Sequence, residues 1–195
     1  MKQLSEGAEA KIYLAKTAGT NVVIKNRIEK KYREKALDDS IRAARNRIEA
    51  RILYKVSRAG VPAPRLIAAS KHTIVMSWID GRMLNKTRHT SKIMERAGEH
   101  LASLHNADIS HGDYTPANLM VGKNEVYVID FGLASITNSL EEKATDLLLM
   151  KRSTAKSAFR SFLKGYERKS RMHEEIVARL DDIERRARYQ SRTLG

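Results

Sequence analysis

The stretch His111-Gly112-Asp113-Tyr114-Thr115-Pro116-Ala117-Asn118, followed twelve residues later by Asp130-Phe131-Gly132, decides the fold of this chain. A carboxylate and an amide stand five residues apart in the first block, and a second carboxylate opens the second block. Phosphoryl transfer needs one group to orient the attacking hydroxyl and two oxygen ligands to hold Mg2+ against the nucleotide phosphates. The two blocks therefore predict that Asp113 orients or deprotonates the attacking hydroxyl or water, and that Asn118 and Asp130 bind Mg2+.

Both blocks have the spacing of protein-kinase motifs, the catalytic loop H-R-D-x-x-x-x-N and the D-F-G turn, with Gly112 in place of the Arg. A hairpin-like segment joins them, because the short runs 119–121 and 126–129 flank a turn at Gly122-Lys123-Asn124. The alternative is that the Asp and Asn side chains only cap turns in a loop that contains Gly and Pro. That alternative leaves the matching elements upstream unexplained.

A lysine ends an apolar run upstream, Asn21-Val22-Val23-Ile24-Lys25, which is close to the kinase V-A-I-K signature. Such a run predicts a buried strand with the ammonium at its end. We expect Lys25 to contact the α- and β-phosphates of ATP. An ordinary lysine at a strand end is the alternative.

Residues 33–58 have the periodicity of a long helix, which the segment 59–62 would stop with its Gly and Pro. Glu49 lies near the apolar stripe of this helix and is the candidate that positions Lys25. A solvated ion pair with Arg45 or Arg51 is the alternative role of Glu49. Three acids nearer the start of the helix are alternative partners of the lysine: Glu34, Asp38 and Asp39.

One glycine stands between two strand-like runs near the start of the chain, within Ser5-Glu6-Gly7-Ala8-Glu9-Ala10. This turn lies eighteen residues before Lys25. Its position predicts that Gly7 and Ala8 face the nucleotide phosphates, although a full G-x-G-x-x-G is absent and an ordinary hairpin turn is the alternative. The sequence has no G-x-x-x-x-G-K-[ST], which excludes a P-loop NTPase.

The run Thr73-Ile74-Val75-Met76-Ser77-Trp78-Ile79-Asp80-Gly81 predicts a strand that ends where two lobes join. Backbone groups near residues 77–79 would bind adenine there, so Met76 and Trp78 are candidates for nucleotide binding. A core aromatic residue is an equal alternative for Trp78, since only its backbone is needed. The expected domains are an N-terminal lobe at 1–79 and a reduced C-terminal lobe with a basic tail at 80–195.

The chain carries a formal net charge of +14 over 195 residues and contains no cysteine. The missing thiols exclude disulfides, thiolate zinc sites and cysteine nucleophiles. Regions 25–58 and 151–195 each carry +7 and together account for the excess. Basic faces attract nucleic-acid phosphates, and the tail 185–195 interleaves Arg with Tyr. We therefore favour contact with RNA or a partner over a merely solvated face.

The sequence also bears on location. Its first residues lack an apolar signal core, and no run approaches eighteen apolar residues. We expect a cytoplasmic chain that makes no membrane contact.

Two features of regulated protein kinases are missing. Gly112 replaces the Arg that binds a phosphate on the activation loop, and no Ala-Pro-Glu follows Gly132. Residues 133–140 run almost directly into a helical segment expected at 141–163. We expect activity to be controlled by a bound partner rather than by phosphorylation of this loop.

Asp146 is an acid among apolar residues, and a buried acid must find hydrogen-bond donors. The backbone of the catalytic loop is the expected source, which makes Asp146 structural rather than catalytic. The histidines outside the motif show no metal-ligand pairing and receive no role: His72, His89, His100, His105 and His173.

With these motifs in place, the chain closely resembles the small atypical kinase subunit of the KEOPS complex, a tRNA-modifying assembly, in its compact archaeal form. The resemblance runs almost end to end. Its more specific marks are Glu6-Gly7-Ala8-Glu9-Ala10, Lys31-Tyr32-Arg33 with Leu37-Asp38, Arg47 to Leu53, Gly60-Val61-Pro62-Ala63-Pro64, His111-Gly112-Asp113, Glu142 to Leu147 and the basic C-terminus. One departure is Tyr114-Thr115-Pro116-Ala117, where the family more often has Leu-Thr-Thr-Ser, and it leaves the Asp and Asn unaffected.

The resemblance implies an α+β, minimal bilobal protein-kinase-like fold, with an antiparallel sheet and a long helix in the N-lobe and a reduced helical C-lobe. It implies binding of ATP and Mg2+, and serine/threonine kinase or ATPase activity. The implied partners are the threonylcarbamoyl-transferring ATPase subunit and a small subunit on the N-lobe. The family acts in threonylcarbamoyladenosine formation on tRNA, which the basic helix and the C-terminal tail would contact.

Two other functions compete with this one. Aminoglycoside- and choline-type small-molecule kinases share His-Gly-Asp and the Asn, but they need a larger helical substrate lobe and acidic pockets for cationic substrates. A kinase fold used as a non-catalytic tRNA-binding scaffold is the second rival, which the intact Lys25, Asp113, Asn118 and Asp130 argue against. Turnover of Mg-ATP, with and without tRNA and the partner ATPase, discriminates among the three.

Overall fold

The computed structural model of the chain describes residues 1–123 and 125–193, with side chains as far as Arg188. Asn124 of the expected turn, and Leu194 and Gly195 of the expected basic tail, lie outside the described residues. The side chains of residues 189–193 lie outside them as well.

An antiparallel sheet forms the N-terminal part of the fold. Its strands are β1 (Lys2–Glu6), β2 (Ala10–Thr17), β3 (Thr20–Arg27), β4 (Leu66–Ala69) and β5 (Thr73–Ser77), in the order β1-β2-β3-β5-β4. The central strand β3 pairs with β2 and β5, so Lys25 lies opposite Ile12 on one side and Ile74 on the other. Because β3 continues to Arg27, Lys25 lies inside the strand, and the prediction that it ends the strand was wrong.

Helix α1 (Lys35–Arg58) packs against β4 and β5. Glu34 caps its N-terminus, because the carboxylate accepts hydrogen bonds from the amides of Ala36 and Leu37. The helix ends at the predicted residue, and Gly60 just beyond it has a φ of +68°. Its apolar buried residues face the core: Ile52, Leu53 and Val56.

The rest of the described chain is mainly helical. Its helices are α2 (Ser91–Asn106), α3 (Leu140–Arg152), α4 (Lys156–Lys169) and α5 (His173–Thr193). Strands β6 (Gly81–Met83), β8 (Leu119–Gly122) and β9 (Val126–Val128) form a small sheet, and β7 (Ile109–Ser110) pairs with β10 (Ser135–Ile136).

The single helical segment expected at 141–163 is two helices, α3 and α4. The break follows from the polar residues at the end of α3. The hydroxyls of Ser153 and Thr154 donate to backbone carbonyls of the last turn, at 2.7 Å in each case. Such bonds compete with continuation of the helix.

Helices α2 and α4 cross at close range in the C-terminal lobe. A Cβ at Gly98 of α2 would collide with the carbonyl oxygen of Phe162, and a Cβ at Gly165 of α4 would collide with that of Glu95. The two glycines therefore allow backbone-to-backbone packing. This crossing helps to form a core in which Tyr114 and Phe162 are completely buried.

The expected α+β bilobal architecture is confirmed, with an antiparallel sheet and a long helix in the N-lobe and a reduced helical C-lobe. The proposed lobe boundary at residues 79 and 80 falls between β5 and β6 and stays a prediction. Within the described parts of the chain, no helix has the length and apolar character that a membrane crossing requires.

Candidate active site

Three segments that are far apart in sequence bring a lysine and two carboxylates together. Lys25 comes from β3, Glu49 from the buried face of α1 and Asp130 from the turn after β9. The ammonium nitrogen of Lys25 lies 2.6 Å from Oε1 of Glu49 and 2.7 Å from Oδ1 of Asp130. Lys25 is 7% exposed and Glu49 is 2% exposed, so water screens this pair weakly. The ion pair expected between Lys25 and Glu49 is present.

The alternatives to this pairing are wrong. Glu34 binds the first amides of α1. Asp38 accepts a hydrogen bond from an arginine one turn later, and Asp39 pairs with a lysine that precedes β5. Arg45, one solvated partner considered for Glu49, pairs with an acid between β1 and β2.

A second buried cation reaches Glu49, and the sequence reasoning missed it. Nη2 of Arg27 donates to Oε2 of Glu49 at 2.6 Å, and the arginine side chain is 2% exposed. The available signal was the period of a strand. Lys25 and Arg27 are two residues apart on β3, so their side chains leave the same face of the sheet.

The catalytic loop closes on itself through Asn118. Its Nδ2 donates to the backbone oxygen and to Oδ2 of Asp113, both at 2.8 Å. A short 3-10 turn at Pro116–Asn118 returns the amide to the carboxylate. Since the nitrogen makes both bonds, they leave the amide oxygen available as a ligand.

Asp130 has a backbone φ of +60°, which is uncommon for a residue other than glycine. Its Oδ1 accepts a hydrogen bond from the amide of Gly132 at 3.2 Å. Burial acts to raise the pKa of Asp130, but the charge and hydrogen bond of Lys25 outweigh burial and hold that pKa below its ordinary value. The side chain is therefore ionised and can serve as an oxygen ligand for a cation.

His111 connects the two motif blocks. Its Nε2 lies 3.2 Å from the carbonyl oxygen of Ile129, and its Nδ1 lies 3.3 Å from the amide nitrogen of Asp113. A neutral ring satisfies both contacts, since Nε2–H donates and Nδ1 accepts. Burial lowers the pKa of His111, which favours the neutral ring. The ring also packs on Phe131, with centroids 5.1 Å apart.

Asp146 holds the start of the catalytic loop from α3. Its carboxylate accepts hydrogen bonds from the amides of His111 and Gly112, at 2.7 and 2.8 Å, and from the hydroxyl of Ser110 at 2.8 Å. Nε2 of His105 lies 3.2 Å away. Burial acts to raise the pKa of Asp146, but the hydrogen bond and charge of His105 outweigh it and lower the pKa. The loop backbone is thus a source of donors, as expected.

A cavity of about 570 Å3 opens between the sheet and the C-terminal lobe. Four of the predicted ionic and amide residues line it, namely Lys25, Glu49, Asn118 and Asp130. Met76 and Trp78 line it as well, and Trp78 is 36% exposed, so the core-aromatic alternative for Trp78 was wrong. The amide of Ser77 donates to the carbonyl of Arg65 at 2.9 Å, and contact of residues 77–79 with adenine stays a prediction.

Gly7 and Ala8 lie in the turn between β1 and β2. The amide of Gly7 donates to the carbonyl of Ala10 at 3.0 Å, and Lys30 donates to the carbonyl of Ala8. The cavity is lined by Leu4, Ser5 and Ile12 of β1 and β2, and neither Gly7 nor Ala8 is among its lining residues. Contact of Gly7 and Ala8 with phosphates stays a prediction.

A second cleft, of about 690 Å3, lies on the C-terminal lobe beside α2 and β8. Several of its charged residues pair with one another, as Arg96 does with Glu125 at 3.0 Å and with Glu99 at 2.9 Å. None of the described motif residues lines this cleft. The cavity between the lobes, rather than this cleft, is therefore the candidate active site.

The fold and the site together define a member of the protein-kinase-like class. A family model described as the RIO domain matches residues 6–173, so the chain belongs to the RIO domain family. It is 33% identical to the KEOPS complex subunit Bud32 of Pyrococcus abyssi, over 99% of this chain and 98% of that protein. It is 36% identical to a probable serine/threonine-protein kinase BUD32 homolog of Archaeoglobus fulgidus, over 95% of both chains.

Longer relatives contain the same region. The chain is 35% identical to a probable bifunctional tRNA threonylcarbamoyladenosine biosynthesis protein of Methanosarcina mazei, over 95% of this chain, and spans 35% of that protein's length. The Rio2 kinase of Chaetomium thermophilum, solved as an ADP/Mg2+-phosphoaspartate complex, superimposes with a TM-score of 0.67 at 17% identity, covering 97% of this chain and 72% of that one. The macrolide 2'-phosphotransferase MphH of Brachybacterium faecium gives 0.69 at 14% identity, covering 93% and 81%. Such identities show the fold alone.

Proposed function

We propose that the chain is an atypical ATP- and Mg2+-dependent serine/threonine kinase or ATPase, and that it acts within the KEOPS complex in threonylcarbamoyladenosine formation on tRNA. The observation that carries this proposal is the cavity in which Lys25, Glu49, Asn118 and Asp130 meet, with Asp113 hydrogen-bonded to Asn118. The names of the full-length relatives, Bud32 and its kinase homolog, support the same function.

Each of these residues has a role that follows from its position in the fold. Lys25 contacts the α- and β-phosphates, and Glu49 positions its ammonium. Asp113 orients or deprotonates the attacking hydroxyl or water, because it lies on the loop that Asn118 closes. Met76 and Trp78 border the adenine pocket. Gly7 and Ala8 cover the phosphates from the β1–β2 turn.

Asn118 and Asp130 fit a magnesium ion. Mg2+ is usually held by one or two protein oxygens together with substrate phosphates. Asn118 and Asp130 supply two protein oxygens, and phosphate oxygens of the nucleotide together with water would complete the coordination. The ion, when bound, neutralises charge on the phosphates. The lowered pKa of Asp130 keeps this ligand ionised. The Rio2 complex with ADP and Mg2+ supports this cofactor choice.

The partners follow from the family. We propose association with the threonylcarbamoyl-transferring ATPase subunit and with a small subunit on the N-lobe, in the cytoplasm. The basic helix α1 and the C-terminal tail would contact tRNA. Arg47, Arg51 and Arg58 of α1 are exposed and supply positive charge for this contact.

The small-molecule kinase alternative draws on the structural likeness to macrolide and aminoglycoside phosphotransferases. That likeness shows the fold alone. The chain covers 81% and 80% of those two structures, whereas it covers 98% of the Pyrococcus Bud32 sequence at 33% identity. The relatives by sequence therefore favour the KEOPS function.

Turnover of Mg-ATP by the purified chain, with and without tRNA and the partner ATPase, tests the proposal. Asp130→Ala should abolish turnover and leave the fold intact, because it removes a metal ligand. Asp108→Ala is a matched control, since Asp108 also has a positive φ, of 56°, and pairs with a lysine at 3.1 Å. Equal activity of the Asp130→Ala and wild-type chains would refute the metal assignment. A wild-type chain with no turnover under any of these conditions would favour the scaffold.

A further inference from the structure

The carboxylate of Glu49 is held at both of its oxygens. Oε1 receives the ammonium of Lys25 and Oε2 receives Nη2 of Arg27, each at 2.6 Å. Both bonds are charge-assisted, which makes them short and directional. The carboxylate cannot rotate without losing one of them. Strand β3 therefore anchors the glutamate of α1 at two points.

Arg27 has no other ion-pair partner within the described part of the chain. It is 4% exposed, and its Nε lacks a hydrogen-bond partner among the described residues. A buried guanidinium that is incompletely paired is costly. Its position is therefore set by Glu49 rather than by a wider hydrogen-bonding network.

The charges of the cluster balance only when Arg27 is counted. Lys25 faces two carboxylates, Glu49 and Asp130, at 2.6 and 2.7 Å. Without Arg27 the single ammonium would have to offset both. With Arg27 present, the guanidinium takes up part of the charge of Glu49. The ammonium of Lys25 is then held between the two carboxylates, in the position from which it would contact phosphates.

We propose that Arg27 is a positioning residue, which acts through Glu49 to orient Lys25 and does not itself touch the nucleotide. The inference rests on the proposed nucleotide site. It assigns a second function to β3, because the strand supplies both the phosphate-binding lysine and the cation that fixes the lysine's partner. Helix α1 is held in its inward position by two contacts rather than one.

The test is a double-mutant cycle on Mg-ATP turnover with Arg27→Met, Glu49→Gln and the double variant. Arg27→Met should lower kcat/KM on the order of 10- to 100-fold, mainly through kcat, because small misplacement of a positioned group has large effects. In the Glu49→Gln background the same change should have an effect of less than about threefold, since coupled residues are not additive. Arg27→Lys keeps the charge without the planar fork, so its loss should be intermediate.

Arg96→Met is the matched control, because Arg96 also binds two carboxylates, but in the second cleft. It should leave kcat/KM unchanged. Multiplicative losses in the double variant would show that Arg27 acts independently of Glu49 and would overturn the inference, as would an Arg27→Met variant as active as wild type. Should Arg27→Met not fold, Arg27→Lys with Glu49→Gln provides the same cycle. A wild-type chain that neither binds nor turns over ATP would instead refute the proposed function.

Discussion

At the residue scale, Gly112 explains why the kinase-type arginine is missing from this catalytic loop. Its φ is +77°, and a Cβ there would collide with the carbonyl oxygen of Leu133. The loop thus packs directly against the segment after the Asp-Phe-Gly turn. Any side chain, and a long arginine above all, would separate the two segments. The geometry at this position demands glycine.

Gly112→Ala should therefore destabilise the fold more than backbone strain alone would. Gly19→Ala is the matched control, because Gly19 has a φ of +79° and nothing within 4 Å of an added Cβ. We expect a cost of about 1 kcal/mol at Gly19, since a left-handed conformation strains an L-residue, and about 3 kcal/mol at Gly112, where backbone must also move. Denaturant unfolding of both variants measures the difference. Equal costs at the two sites would show that the contact with Leu133 is not tight.

At the scale of elements, the segment between the Asp-Phe-Gly turn and α3 is built around an acid. The hydroxyls of Ser135 and Thr137 donate to the two carboxylate oxygens of Glu142, at 2.6 and 3.4 Å. The Ser139 hydroxyl accepts from the Glu142 amide and caps α3. A phosphate on Ser135 would lie against the Glu142 carboxylate and be repelled. The geometry argues against activation by phosphorylation of this loop.

Ser135→Ala should change Mg-ATP turnover by less than about twofold, and Ser135→Asp should not increase it, because an added charge meets like charge rather than an arginine. Steady-state turnover of the isolated chain measures both. Ser161→Asp on the exposed face of α4 controls for added negative charge. Higher activity of Ser135→Asp would revive the loop-phosphorylation mechanism.

The contact between a histidine of α2 and an aspartate of α3 makes the free energy of unfolding depend on pH. His105 of α2 binds Asp146, and burial lowers the pKa of His105 below its ordinary value of 6.5. As the pH falls, the unfolded chain therefore binds a proton at His105 before the folded chain does. The stability that depends on the neutral His105 ring is lost progressively below about pH 6.5. The pKa of Asp146 is also lowered, so its contribution persists to lower pH and is lost only below its ordinary value of 3.8.

The free energy of unfolding should therefore fall as pH decreases from about 7 to 5, where buried histidines must charge. His105→Gln should flatten this slope in part, because burial also lowers the pKa of His100 and His111. Denaturant unfolding at several pH values gives the slope. His173→Gln, at a half-exposed position, is the control and should leave it unchanged. An equal slope in the His105→Gln and wild-type chains would contradict the assignment.

At the scale of the whole molecule, the excess charge lies on two regions, and α1 carries more than half of the excess of region 25–58. Two arginines of this helix are already paired, Arg42 with Asp38 and Arg45 with Glu9. The exposed Arg47 and Arg51 are the better candidates for phosphates. Affinity that rests on such contacts falls with salt, because bound counterions are released.

Arg47→Glu with Arg51→Glu should weaken tRNA binding and make its salt dependence shallower, by about one to two units of slope for two lost phosphate contacts. Filter binding at several salt concentrations measures both quantities. Arg88→Glu with Lys123→Glu makes the same charge change outside the basic regions and should have little effect. Equal losses in the two pairs would show that net charge, rather than the α1 face, attracts the RNA.

The local features of this protein can be predicted from its amino-acid sequence. The spacing of Asp113 and Asn118 lies within one loop, where five residues bring the amide back to the carboxylate. The strand run before Lys25 and the end of α1 at Arg58 follow from periodicity and from the Gly and Pro that stop the helix, which are also local, whereas the start of α1 is Lys35 rather than the predicted residue 33. These features depend on residues that are close together in the chain, so they can be predicted from the sequence.

Which of these segments contact one another depends on tertiary packing and could not be predicted from local sequence. Lys25 is 24 residues from Glu49 and 105 from Asp130, and packing of the sheet on α1 and on the C-terminal lobe selects those partners over Asp38 and Asp39. Packing also placed Arg27 on Glu49: the strand period puts Arg27 on the same face as Lys25, but it does not name the partner on α1. Local preferences do not encode such contacts, because they arise from burial in a core that sequence-distant segments share.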